Sequence, residues 1–245
     1  MAKTVVLYAF HEYNERVRSF LNDCIFEDEG IDFMVIANNK NIVLDVPGYV
    51  RTLHRDNIGF DFGAWSDAIF TYHLYEKYNH FIFVNSSVIG PFVPSYYEGR
   101  WTDVYLNGLK NNVKLFGSTI NTCGKPLTVS HVQSYIFAMD KTTLNFLINC
   151  DIFSLKYETN FQDCISQREV LMSRKVIENN WNIGSLQPCY QDVDFTFRSK
   201  SPEDCNIESL FLDDIMYQEF RNSIWNEYEL VFIKGNRVAV CKGVK

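Results

Sequence analysis

Seven consecutive uncharged residues, Thr4 to Phe10, sit between Lys3 and His11 and read as a strand covered on both faces. Residues 12–26 then place Val17, Phe20, Leu21, Cys24 and Ile25 at i, i+3, i+4, i+7 and i+8, the stripe of an amphipathic helix. Gly30 closes it, and residues 31–37 form a second apolar run with Met34, Val35 and Ile36 in succession. A β-α-β opening leaves few options: two parallel neighbours joined by a right-handed crossover, in a sheet that needs cover on both sides.

The alternation continues. A polar turn, Asn38-Asn39-Lys40-Asn41, leads through residues 42–44 and past Pro47 and Gly48 to a stretch holding Gly59 and Gly63. A helix starting near Asp61 or Gly63 carries Trp65, Ala68, Ile69, Tyr72 and Tyr75, and residues 80–84 form another buried strand. The second half is less regular: a helix near 101–111, a strand over 113–120, a Gly-Lys-Pro loop at 124–126 and a strand over 134–139. After these come a helix over 163–180, an extended segment at 181–186, an edge strand alternating through Val193, Phe195 and Phe197, and a hairpin over 230–240 about Gly235-Asn236. The expected fold class is α/β, Rossmann-like, with a mixed, mostly parallel central sheet and flanking helices. The chain has no repeat or linker-like tract, so residues 1–245 read as one domain.

Composition narrows the function. A net charge of −7 argues against a general nucleic-acid binder, since neutralising a phosphate backbone needs a basic field. Seven cysteines, an odd number without a Cys-x-x-Cys pair, fit a reduced compartment and no structural zinc. No apolar run approaches the roughly 18 residues of a membrane span, and the N-terminus lacks a signal-like region. The expectation is a cytoplasmic protein.

Ligands of parallel sheets bind beyond the carboxyl ends of the strands. That topology brings Tyr8 to Glu12, Asn38-Asn39, the loop with Arg55, Asn57, Gly59 and Asp61, and Asn85-Ser86-Ser87 to one rim. Gly59 and Gly63 permit positive φ and close backbone approach, and a helix starting there points N–H groups into the loop, a place suited to an anion. Structural readings stand beside these. Asp61 caps its helix, Asn85 and Ser87 end a strand through a side-chain turn, His131 is a satisfied core histidine, and Lys234 and Arg237 are a solvated hairpin tip.

The motifs Arg55-x-Asn57-x-Gly59-x-Asp61-Phe-Gly-Ala-Trp65, Phe83-Val-Asn-Ser-Ser-Val-x-Gly-Pro91, Gly117-x-x-x-Asn121 and His131-Val-Gln-Ser134 together resemble nucleotide-sugar-dependent glycosyltransferases of the GT-A fold. The nearest are the rhamnan-synthesis F-like and virus-encoded polysaccharide glycosyltransferases. The resemblance covers about residues 4–186, with a compatible tail at 231–234. It implies a GT-A-like domain with a nucleotide-binding half over about 1–95 and an acceptor and catalytic half over about 96–245. Tyr8, His11, Asn38, Arg55, Asn57, Gly59, Asp61, Asn85 and Ser87 would surround the nucleotide sugar, and His131 and Gln133 the sugars. The implied partners are a nucleoside-diphosphate sugar and a glycan acceptor.

One departure concerns the metal. Where that fold carries Asp-x-Asp, this chain has Asn85-Ser86-Ser87, which offers a hard divalent cation no anionic ligand. Either Mn2+ or Mg2+ is held weakly by Ser87 with Asp192 or Asp194, assisted by the diphosphate, or Lys234 and Arg237 neutralise the diphosphate instead. Inverting transfer also needs a carboxylate base, which in such enzymes opens a late helix; Glu169 fits. Helical spacing sets Glu169 beside Ile165, Met172 and Val176, an apolar setting for a charge unless Arg168 or Arg174 pairs with it. The leading reading is a glycosyltransferase moving a hexose or deoxyhexose to a glycan hydroxyl with Glu169 as base. The competitor is a non-catalytic GT-A-like glycan- or partner-binding module. A sugar-phosphate nucleotidyltransferase is a third option, without the Gly-rich, Lys-containing loop it would need near residue 10.

Overall fold

A computed structural model of the chain describes residues 3–122, 130–201, 204 and 225–236. The first half runs β1 (Thr4–Phe10), α1 (Glu15–Asp23), β2 (Ile31–Ala37), β3 (Arg51–His54), α2 (Phe60–Thr71), α3 (Leu74–Lys77), β4 (His80–Asn85) and β5 (Val88–Ile89). The second runs α4 (Trp101–Gly108), β6 (Val113–Gly117), β7 (Ile120–Asn121), β8 (His131–Val132), β9 (Ile136–Asp140), α5 (Lys141–Asn149), α6 (Phe161–Cys164), a π-helical segment (Ile165–Val170), α7 (Leu171–Glu178), β10 (Asn182–Ser185), α8 (Glu227–Leu230) and β11 (Ile233–Lys234).

Seven strands make one sheet in the order β10-β6-β9-β4-β1-β2-β3. All adjacent pairs are parallel except those of β9, which runs antiparallel to both β4 and β6. The result is the mixed, mostly parallel sheet with flanking helices that a Rossmann-like GT-A fold requires. Alternation along β1 shows why the sequence insists on it. Val5, Leu7 and Ala9 enter one core with Trp65 and Ala68 of α2, Leu144 of α5 and Met172 of α7, while Val6, Tyr8 and Phe10 enter the other with Phe20 of α1 and Trp101 and Tyr105 of α4. A strand buried on both faces tolerates no charge on either, hence the unbroken apolar run.

Several local expectations need correction. The first helix begins at Glu15, not residue 12, because the Asn14 side chain accepts from Val17 N–H at 3.2 Å, a cap worth about 1 kcal/mol. The strand expected over 113–120 is two, β6 and β7, in different sheets. Residues 193–197 are not an edge strand: Phe195 N–H donates to Asn182 Oδ1 and Asn182 Nδ2 donates to Val193 O, both at 2.9 Å, so one side chain straps this segment to β10 in place of a ladder. Of the hairpin expected over 230–240, Leu230 ends α8, Ile233–Lys234 is a strand, and Gly235-Asn236 is a turn. Gly235 extends the antiparallel pairing of β11 with β5 by donating to Ser87 O at 2.6 Å, and residues 237–240 lie outside the described residues. The Gly-Lys-Pro loop also lies outside them. Strand β3 and helix α5 were not foreseen.

Candidate functional site

The parallel register aligns Phe10 with Ala37, Ala37 with His54, and Ala9 with Asn85, so the carboxyl ends of β1, β2, β3 and β4 share one rim. The loop from β3 to α2 crosses this rim in an unusual backbone state. Gly59 and Phe60 both have positive φ, 72° and 54°, and for a phenylalanine the left-handed region costs roughly 1–2 kcal/mol. Gly63 lets the turn close, because a Cβ there would lie 2.2 Å from Ile58 O and 3.3 Å from Arg55 Nη2. Arg55, 7% exposed, holds the turn from beneath: Nε donates to Asp67 Oδ2 at 2.5 Å, Nη1 to Asn38 Oδ1 at 2.7 Å and Nη2 to Ile58 O at 2.7 Å. Asn38 in turn donates from Nδ2 to Phe60 O at 3.3 Å. The strained turn is thus held by a buried charged network.

This turn aims Asp61 into a pocket of about 230 Å³ on the rim. Asp61 does not cap α2, whose N-cap is Gly59 without a side-chain bond. It accepts instead from Asn85 Nδ2 at 3.0 Å, and the same nitrogen reaches Ser134 O at 3.5 Å. Asn85 Oδ1 accepts from Ser87 N–H at 3.0 Å and Ser87 Oγ at 2.5 Å. Across the pocket, Glu169 Oε1 accepts from Ser134 N–H at 2.7 Å. Asp61, Asn85, Ser134 and Glu169 therefore form one hydrogen-bonded chain along the pocket, with Asp61 Oδ2 and Glu169 Oε1 anchored and, among the described residues, no hydrogen bond to Asp61 Oδ1 or Glu169 Oε2. Asp61 and Asn85 come from the first half of the chain, Ser134 and Glu169 from the second.

The pocket is electrostatically tense. Loss of water around its carboxyl group raises Asp61 from the ordinary 3.8 to about 7; the bond from Asn85 opposes the shift and the charge of Glu169 adds to it. Burial first, then the charges of Asp61 and Glu169, push the Cys164 thiol in the pocket wall up to about 12, leaving it protonated and inert. Neither arginine expected to neutralise Glu169 does so. Arg168 is buried, pairs with Glu158 at 2.8 Å and donates to the carbonyls of Asp151, Ile152 and Lys156, while Arg174 faces Glu178 at 3.8 Å. Arg168 and Glu169 both lie in the π-helical segment, whose extra residue per turn breaks the α-helical register read from the sequence.

Several other sequence candidates fall outside the pocket, while Ser87 and Lys234 line it. Tyr8 is 1% exposed in the core, its ring stacked on Phe20 at 3.9 Å. His11 is exposed, with Nδ1 2.9 Å from Asn38 O, and Asn57 is exposed on the loop. Asn38 and Arg55 lie behind the turn and do not line the pocket. His131 and Gln133 are 4% and 2% exposed, within a buried polar cluster where Gln133 Oε1 accepts from Thr119 Oγ1 at 2.7 Å and His131 Nε2 lies 3.4 Å from Asn121 Nδ2. Lys234 lines the pocket, and Arg237 lies outside the described residues.

Ser87 and Asp192 do not form a metal pair. Ser87 lines the rim pocket, whereas Asp192 lines a separate cleft with β10 and α4. Asn85 Oδ1 is taken by Ser87, and neither Asn85 nor Ser87 offers a hard divalent cation an anionic ligand. Among the described residues no group of three or more His, Cys, Asp or Glu is placed to hold a metal ion, and no helix is long and apolar enough to cross a membrane.

Several pocket residues had no role assigned from the sequence, among them Ser134, which acts through its main chain, and Phe60 and Phe161, whose ring centroids lie 5.7 Å apart. Phe161 stands four residues before Ile165 and eight before Glu169, a spacing that could have flagged it. In comparison with known proteins, the family model of rhamnan synthesis protein F matches residues 35–196, more than half of the chain, a span from within β2 to just past β10 that includes the Arg55 turn, Asn85, Ser134 and Glu169. No curated protein matches the chain.

Proposed function

This chain belongs to the rhamnan synthesis protein F family, a glycosyltransferase-related family of polysaccharide synthesis, and from that premise we propose that it transfers a sugar from a nucleoside diphosphate to a glycan hydroxyl in the rim pocket. One observation carries the reading: two carboxylates from opposite halves of the chain line one pocket, each with one oxygen held by a hydrogen bond and the other unbonded among the described residues.

Glu169 is the base in this reading. With Oε1 fixed by Ser134 N–H, Oε2 takes the acceptor proton as that oxygen attacks the anomeric carbon. The bond from acceptor oxygen to anomeric carbon forms, the bond from that carbon to phosphate oxygen breaks, and the nucleoside diphosphate leaves with the electron pair. Lys234, on the same pocket wall, is suited to the departing phosphate charge. The nucleotide side is the half over about 1–95, where His11 and Asn57 are exposed on the rim, and the acceptor side is the half over about 96–245, within a single domain.

The rival reading, a glycan-binding module without activity, draws on the self-satisfied Asn85-Ser86-Ser87 turn. Thermal-shift measurements with uridine, thymidine and guanosine diphosphates, alone and as sugar conjugates, separate the two. A ligand bound only by the native state adds about 2.7 kcal/mol at a hundredfold excess over its Kd. Stabilisation by one nucleotide series, with release of that diphosphate from its sugar conjugate on adding acceptor, supports the enzyme. No shift at millimolar nucleotide would refute donor binding, and a shift without turnover would favour the module.

A further inference from the structure

Residues 151–158 belong to no helix or strand, yet a buried guanidinium holds them. Arg168 donates from Nη1 to the carbonyls of Asp151 and Ile152 and to Ser154 Oγ. From Nη2 it donates to Lys156 O at 2.5 Å and pairs with Glu158 Oε1 at 2.8 Å. One side chain thus gathers the segment along its length. A buried cation is costly unless its donors are met, and here one stretch of chain meets them. Arg168 directly precedes Glu169, and both stand in the π-helical segment, an irregularity frequent at functional sites.

The other side of the same segment grips the turn that presents Asp61. Tyr157 Oη donates to Asp67 Oδ1 at 2.6 Å while Arg55 Nε donates to Asp67 Oδ2, so Asp67 joins the segment to the turn. The Tyr157 ring faces the Arg55 guanidinium at 5.8 Å. It also closes on Gly59, where a Cβ would lie 2.9 Å from Tyr157 Cβ. Ser154 N–H donates to Ser66 Oγ of α2 at 3.1 Å. Between Gly59, Phe62, Ser66, Tyr157 and Arg168 only about 10 Å³ of space remains, too little for more than a single water. Contacts packed this closely transmit a displacement rather than absorb it.

A continuous path therefore runs from Arg168, beside Glu169, through Tyr157 and Asp67 to Arg55 and the Ile58 carbonyl, three residues before Asp61. We propose that residues 151–158 are a brace that sets Asp61 and Glu169 relative to each other, with Arg168 and Tyr157 as its positioning residues. Neither residue lines the rim pocket, so each acts only through others. The brace stands on these contacts, and its effect on sugar transfer rests on the reading above. The competing role is plain stabilisation of the fold, in which a change at Arg168 stays local and never reaches Asp61.

The test follows the Asp61 carboxyl carbon by NMR against pH in Arg168→Lys and Tyr157→Phe, each also combined with Glu169→Gln. Lysine keeps the charge and loses the fork, and phenylalanine keeps the ring and loses one bond. Glu169→Gln removes the direct effect of that charge on Asp61, so any remaining change travels through the brace. As the turn loosens and water enters, the Asp61 titration should fall by about one pH unit in both variants, in either background. Turnover per folded molecule should fall about tenfold in Tyr157→Phe. An Asp61 titration that stays put in both variants beside Glu169→Gln overturns the brace. So does a shift in Tyr157→Phe without one in Arg168→Lys, because the path then stops at Asp67. Glu158→Gln, which loosens the hold of Arg168 on the segment, takes the place of Arg168→Lys should that chain not fold. The expected titrations in a protein with neither a nucleotide shift nor transfer would support the brace and overturn the transfer reading alone.

Discussion

Removing the Asp61 charge should make the protein more stable and less active. Well below pH 4 the carboxyl is protonated in both folded and unfolded chains and has no differential effect. Because its folded value is raised to about 7, the unfolded chain releases this proton first as pH climbs from 4 to 7, and the native state loses stability across that window. Above pH 7 the loss is complete. At 1.36 kcal/mol per unit, a shift of this size amounts to about 4 kcal/mol, an upper figure for a site that can relax. Asp61→Asn keeps the shape, and an amide oxygen can still accept from Asn85 Nδ2, yet it carries no charge at any pH.

Urea unfolding of both proteins at pH 4, 6 and 8 tests this, since the difference between them cancels every other titrating group. The two should lie within about 1 kcal/mol of each other at pH 4, and the variant should gain with rising pH, to as much as about 4 kcal/mol at pH 8, with an unchanged denaturant slope. A variant no more stable than wild type at pH 8, or a pH-independent difference, would refute the reasoning. Transfer activity should fall in the same variant, the opposition expected where a site keeps a charge the fold would shed.

Glu169→Gln should lower transfer by about 10² to 10⁴ while nucleotide affinity stays within twofold, measured by steady-state kinetics and calorimetry. Having lost the neighbouring charge that helps raise it, Asp61 should titrate lower in that variant, visible by carboxyl-carbon NMR. Arg55→Ala should cost about 3–5 kcal/mol in denaturant unfolding, because it leaves Asp67 with Tyr157 but no countercharge and releases the Phe60 turn; a loss below 1 kcal/mol would contradict the buried network. Manganese added alone should give no saturable heat, since Asn85 and Ser87 bond each other and Asp192 lies in another cleft; tight binding abolished by Asp61→Asn would reveal a metal site on the rim.

Legibility in the sequence tracked how strongly burial restricted each segment. Strands β1 and β2 match their expected ends residue for residue, because both enter two cores; β1 carries no charge, and the one charge in β2, Asp32, sits near its start, half-buried and paired with Lys3. Strand β3 went unseen because it lies at the sheet edge, and Arg51-Thr-Leu-His carries little burial pattern. Val193, Phe195 and Phe197 alternated as a strand does, yet Asn182 pins that segment with side-chain bonds that no periodicity reports. At the site, the Gly59-to-Gly63 spacing announced a tight turn at the rim correctly, but which polar residues faced the pocket depended on tertiary contacts. Arg55 and Asn38 hold the turn, and Asp61 and Glu169 line one pocket, bonded to Asn85 and to Ser134.

That division of labour bears on what the motif means. Arg55, Gly59 and Gly63 give the loop its recognisable signature, yet their contacts are with Asp67, Ile58 and Asn38 rather than with the pocket. They specify a backbone shape. Holding a phenylalanine at φ 54° is unfavourable on its own, so the shape persists only while the buried ion pair and the Asn38 bond hold it, and these need an arginine whose flat guanidinium serves three acceptors at once. Lysine at position 55 would keep the charge and lose two of the three bonds. Such a chain should keep its sheet, with Asp61 no longer held against Asn85. Arg55→Lys is therefore the change that separates the loop's shape from its charge: nucleotide and acceptor binding should both weaken, and the Asp61 titration should move back toward the ordinary carboxylate range as water re-enters. An Asp61 that still titrates near neutrality in Arg55→Lys would show that the turn holds its shape without the guanidinium.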